Sequence, residues 1–172
     1  MEERVMVFID GSNLYKSLLE AFGNGKIRID GLVEKLCQGR KLIRAIYYNA
    51  TIPVEKDPIQ ARNQQKFFDA VERMPFMRVE KGRVEKREEI WVEKGVDIMI
   101  ATDMIRYAIK DVYDVAILVS SDGDFKYVVD VVADLGKHVI NAYVVGHRAY
   151  HLNICDDHIE IDDDYIEGLR IT

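Results

Sequence analysis

Cysteine is nearly absent: Cys37 and Cys155 are the only two in 172 residues. They form no CxxC pair, and so few thiols exclude a disulfide framework. Both are expected as buried, reduced thiols of a cytoplasmic protein. Long apolar runs are also missing. The longest falls far short of the roughly 20 residues a membrane helix needs, and no basic segment with an apolar stretch and cleavage site precedes the first strand. The expectation is a soluble, intracellular chain without membrane contact. There is no excess of positive charge. Lys and Arg number 24 against 30 Asp and Glu, for a net charge of −6, which excludes a protein that coats nucleic acid by net charge alone. A nuclease is not excluded, because a metal site concentrates carboxylates while a local basic strip holds phosphates. No repeat, low-complexity segment or linker occurs, so residues 1–172 read as a single domain. The chain is 48% hydrophobic, enough for a sizeable core.

What is present is an alternation of strand and helix signals. Val5 to Ile9 is a continuous apolar run that ends at Asp10-Gly11, the mark of a strand buried on both faces. Ser12 and Asn13 are suitable helix caps, Leu14, Leu18, Leu19 and Phe22 follow at helical spacing, and Gly23-Asn24-Gly25 stops the helix. Asp30 is expected to cap a short helix through Leu36, and Leu42 to Tyr48 to form a strand. Asp57-Pro58 opens a helix that Pro75 ends. Phe76–Glu80 and Glu89–Val92 read as short strands around a charged turn containing Gly82. Helix Val96–Ile109 follows Gly95. The apolar strand Val115–Val119 leads into Ser120-Ser121-Asp122-Gly123-Asp124, then helix Phe125–Leu135, a last core strand His138–Val145 and a less regular tail. Such alternation predicts βαβ units and a mostly parallel sheet.

Parallel sheets bind ligands beyond the carboxyl ends of their strands, where the strand order reverses. Asp10 stands just past the first core strand, Asp122 and Asp124 just past another, and Asp97 in the first turn after Gly95. Carboxylates gathered there repel one another unless a cation neutralises them, and Mg²⁺ or Mn²⁺ has the matching preference for oxygen. Taken singly, each acid has a plainer reading: Asp10 as a turn residue, Asp97 as a complement to the helix dipole, Asp124 as a cap. The joint pattern favours the site.

Phe8-Ile9-Asp10-Gly11-Ser12-Asn13-Leu14, Lys94-Gly95-Val96-Asp97 and Ser120-Ser121-Asp122-Gly123-Asp124-Phe125 resemble, in order, the three signature blocks of the NYN domain family. That family includes the LabA-like proteins and belongs to the PIN-like nuclease superfamily. The resemblance runs from Val5 to about Asp162. It implies an α/β fold, a Rossmann-like three-layer sandwich with a mostly parallel central sheet, and a Mg²⁺- or Mn²⁺-dependent nuclease cutting RNA, with DNA as the other polymer to consider. Asp10, Asp97, Asp122 and Asp124 match the family's acidic positions and are the expected catalytic and metal-binding residues. Ser12 and Asn13 after the first acid, and the pair Ser120 and Ser121, match polar positions expected to meet substrate. Asp103 matches a further acidic position, although six residues at about 100° each place it well off the face of Asp97. It is expected to act behind the site or to orient the helix. Ser121 stands where many relatives carry glycine.

Substrate grip is expected from the basic stretch that holds Arg83, Arg87 and Lys94, with Trp91 as a stacking surface. The plainer reading is a solvated hairpin, because Glu80, Glu85, Glu88, Glu89 and Glu93 alternate through it. The four histidines lie late in the chain and read as surface groups. A von Willebrand A-type adhesion site is disfavoured by Leu14 at its second serine position. An aspartate phosphatase is disfavoured by Ser12 where its second acid would stand. A PIN-like scaffold that binds RNA or protein without cutting is the remaining alternative. A homo-oligomer is compatible with all of this.

Overall fold

All residues from Met1 to Thr172 are described in the computed structural model. The apolar runs become the middle of one seven-stranded sheet. The strands are β1 (Arg4–Asp10), β2 (Lys41–Ala50), β3 (Met77–Arg87), β4 (Ile90–Lys94), β5 (Val115–Val119), β6 (His138–Val144) and β7 (Asp157–Ile161). They lie in the order β4-β3-β2-β1-β5-β6-β7. Every pairing is parallel except the β3–β4 hairpin. The helices are α1 (Gly11–Phe22), α2 (Ile29–Cys37), α3 (Pro58–Glu72), α4 (Val96–Ile109) and α5 (Lys126–Asp134).

Side chains alternate across a strand, and the two sets enter two different clusters. Val5, Val7 and Ile9 of β1 pack with Leu14 and Leu18 of α1, Leu32 and Leu36 of α2, and Phe68 and Val71 of α3. Met6 and Phe8 pack with Ile100 and Met104 of α4 and Val129 and Val132 of α5. Both faces of β1 are dry, which is why its sequence is unbroken apolar rather than alternating.

Strand order reverses between β1 and β5. From β1 the chain steps outward through β2 and β3, and then returns to the other side of β1 as β5. Open parallel sheets place a crevice at such a switch point, here at the carboxyl ends of β1 and β5.

Four local expectations are corrected. Asp10 itself, not Ser12 or Asn13, caps α1, accepting the Asn13 N–H on its carboxylate. Arg28 precedes α2, and Asp30 lies inside its first turn. The stretch expected as two short strands about Gly82 is a long hairpin whose turn sits at Glu88-Glu89, with Glu88 at φ 54°. A Cβ on Gly82 would stand 2.8 Å from the Lys94 carbonyl oxygen, so this glycine serves close strand approach instead of a turn. The tail contributes β7, whose Ile159 and Ile161 turn inward beside β6. No helix is long and apolar enough to cross a membrane. Cys37 and Cys155 are buried and free, and burial pushes their thiols up to about 11 and about 12.

Candidate active site

Asp10 ends β1 and opens α1, so one residue belongs to both elements. It is only 5% exposed. Its Oδ1 accepts the Asn13 N–H at 3.3 Å, and its Oδ2 accepts the Ser120 hydroxyl at 3.2 Å. Ser120, 2% exposed, follows β5, and its Oγ accepts the Asp122 N–H at 3.1 Å. Asn13 reaches across the same gap, its Oδ1 accepting the Ser121 N–H at 2.9 Å. The β1–α1 turn and the loop after β5 are therefore stitched together by the polar residues of two of the signature blocks. Asp122 caps a 3-10 turn (Gly123–Phe125), with Oδ1 accepting the Asp124 N–H at 2.9 Å.

The four acids share one neighbourhood electrostatically. Burial, opposed by the Asn13 hydrogen bond and reinforced by the charges of Asp97 and Asp122, pushes the Asp10 carboxyl from 3.8 up to about 6. Asp97 is pushed up by burial, then by Asp122, Asp124 and Glu93. None of the four forms an ion pair with a lysine, arginine or histidine. Unpaired carboxylates accumulate here, with oxygen as the only donor type among them. No three Asp, Glu, His or Cys side chains stand close enough together to grip an ion by themselves.

The other expected residues fall as follows. Ser12 donates to Glu93 Oε1 at 3.4 Å, which joins the hairpin to the α1 turn. Asp103 is remote in its contacts: it accepts the Tyr48 hydroxyl at 2.9 Å and pairs with Arg106 at 3.2 Å. It thus anchors α4 to β2, and Tyr48 is the strand partner of Asp10. Arg83 and Arg87 both pair with Glu85, at 2.7 and 3.9 Å. Lys94 lies opposite Arg83 in the hairpin.

Sequence reasoning missed two neighbours. Asn141, within the apolar run of β6 and fully buried, donates to the carbonyls of Leu118 and Ser120 at 3.1 and 2.9 Å. It fixes the end of β5 that carries Ser120, and its Oδ1 has no partner. An amide inside a buried strand is the signal that marks it. His151 packs over Gly123, where an added Cβ would meet its ring at 3.1 Å. Only the fold brings it beside Asp122 and Asp124.

The chain is similar to a protein of unknown function from Vibrio parahaemolyticus RIMD 2210633 known from its crystal structure, with a TM-score of 0.77, 24% identity and 96% of each chain covered. That likeness concerns the fold. No curated protein matches. The NYN domain model matches residues 4–162, which takes in Asp10, Asp97, Asp122 and Asp124. The chain belongs to the NYN domain family.

Proposed function

We propose that this protein is a Mg²⁺- or Mn²⁺-dependent ribonuclease with a PIN-like, three-layer sandwich fold, hydrolysing RNA phosphodiester bonds at the crevice between β1 and β5. One observation carries the reading: Asp10 is buried at the topological switch point, within reach of the charges of Asp97 and Asp122, and has no basic partner. Such a site repels phosphate until a cation enters it. An all-oxygen donor set suits Mg²⁺ or Mn²⁺, and Mg²⁺ keeps several of its waters, which fits acids that share a crevice without closing on one point. Asp10 and Asp122 would hold the ion, with Asp97 and Asp124 engaged through water. When bound, the ion supplies Lewis acidity toward the phosphoryl oxygen and acidifies a water.

The rest falls to the chain's own groups. Ser120 and the Asn13 N–H fix both oxygens of Asp10. Asn13 commits its carbonyl oxygen to Ser121, so its NH₂ group is left to orient a phosphate. A second reading, a scaffold that binds RNA without cutting it, is favoured by the lack of three acids at gripping distance. Labelled RNA and DNA incubated with Mg²⁺ or Mn²⁺ separate the two. Wild type is expected to cut RNA and Asp10→Asn to lose at least about a hundredfold in rate. Cation-independent or Asp10-independent cleavage would sink the proposal.

A further inference from the structure

Beside the acidic crevice lies a cavity of a different character. It has a volume of ≈ 600 Å³ and sits between α1, α3 and the carboxyl end of β2. This volume is in the range that takes small organic ligands, about 300–1,000 Å³. Its floor is apolar and aromatic. Tyr47 and Phe67 meet edge to face there, with ring centroids 5.2 Å apart. Its upper wall is amide: Asn49 from the end of β2, and Gln60 and Asn63 from α3. The side chains of Gln60 and Asn63 are exposed at the mouth. Gln64 holds this wall in place by bonding both Ala50 O and Ile52 N, at 2.9 and 2.8 Å.

Two further features narrow the ligand. In a chain with 30 acidic residues, not one lines the cavity, and its single charged residue is Lys26, which forms no ion pair. The cavity also shares a wall with the crevice. The Tyr47 ring lies so close to Gly11 that an added Cβ would stand 2.4 Å from it, and Gly11 is bonded directly to Asp10.

We propose that this cavity is a subsite for one nucleobase of the RNA strand whose phosphate lies at Asp10. Tyr47 is only 5% exposed and backs the half-buried Phe67 ring edge to face, so Phe67 is the ring open to the cavity. That ring and the amide rim match a base, which stacks on a π surface and presents donors and acceptors together at its edge. Lys26 at the mouth suits the adjoining phosphate. The subsite rests on the nuclease reading for its neighbour, but its occupant can be tested without cleavage.

The 172-residue protein, in EDTA, is titrated with uridine and adenosine 5′-monophosphates and with ribose 5-phosphate, followed by backbone amide NMR shifts. Nucleotides are expected to move the resonances of Asn49, Gln60 and Asn63 and to bind at least tenfold tighter than ribose 5-phosphate. Asn63→Leu with Gln60→Leu, both surface changes, is expected to remove most of that difference while the melting temperature stays put. An uncleaved RNA oligonucleotide is expected to displace the mononucleotide. Equal binding of ribose 5-phosphate, or full nucleotide binding by the double variant, overturns the subsite. Failure of RNA to compete would make a free nucleotide the ligand and also overturn it. Loss of cation-dependent cleavage with base-dependent binding intact would instead fault the nuclease reading alone.

Discussion

Asp10 is where the proposed function and stability oppose one another. Its carboxyl is pushed from 3.8 up to about 6, first by burial and then, against the Asn13 hydrogen bond, by Asp97. For an acid raised on folding, the ionised form disfavours the fold. The penalty is absent below pH 3.8, grows through the interval up to about 6, and is complete above it. In metal-free buffer, Asp10→Asn should therefore be more stable than wild type at pH 7.5, by about 1–2 kcal/mol once the weaker hydrogen bonding of the amide is allowed for. The gain should shrink to nothing by pH 4. Urea melts at the two pH values measure this, and a variant no more stable at pH 7.5 would contradict the picture of an uncompensated carboxylate. Adding Mg²⁺ should raise the melting temperature of wild type and leave that of the variant unchanged, since a ligand stabilises only the state that binds it.

At the scale of elements, the strands hidden on both faces were the easiest to read. β1 and β5 carry unbroken apolar runs, and β2 from Leu42 to Tyr48 and β6 carry runs interrupted only by Arg44 and Asn141, because each strand supplies residues to both clusters. The outer strands were harder. β3 beyond Glu80 and β4 are held by backbone cross-strand pairing while their side chains are largely charged, with pairs such as Arg83–Glu85 running along β3 itself, so their sequence looks like a charged loop. β7 buries only Ile159 and Ile161 in five residues. In the candidate site, Asp10 stood out because it ends an apolar strand, and Asp122 and Asp124 because they follow one within five residues. Asp103 was ambiguous because its partner, Tyr48, is 55 residues away, and Asn141 was masked by its apolar neighbours. The hairpin also bears on RNA grip. Glu85 already engages Arg83 and Arg87, so Arg83→Ala with Arg87→Ala should weaken RNA binding less than about threefold and shift the salt slope by less than about one. Filter binding across a salt series decides this, and a steep loss would assign the hairpin to the RNA path.

Taken as a whole, the molecule has two electrically unlike ends. At the amino ends of the central strands, Arg4 bonds Asp114 through its backbone N–H and guanidinium, Asp111 accepts from the same guanidinium, and Lys137 closes the cluster. There the Arg4 hydrogen bonds hold Asp114 down at about 2. A depressed acid contributes stability above its ordinary value near 3.8 and loses it as pH falls toward 2. Arg4→Ala should consequently raise the midpoint of acid unfolding by a few tenths of a pH unit, a small effect because the pair is partly exposed. Circular dichroism along an acid titration reads it, and an unmoved midpoint would show the cluster to be ornamental. At the opposite end the acids stand unbalanced, and those acids come from far apart in the chain. Asp10 and Ser120 are separated by 110 positions, so a growing polypeptide released anywhere before β5 has no crevice at all. If the proposed chemistry holds, a chain truncated before β5 lacks Ser120 and Asp122 and should neither bind the cation nor cut RNA, because the second half of the chain must dock against the first to supply them.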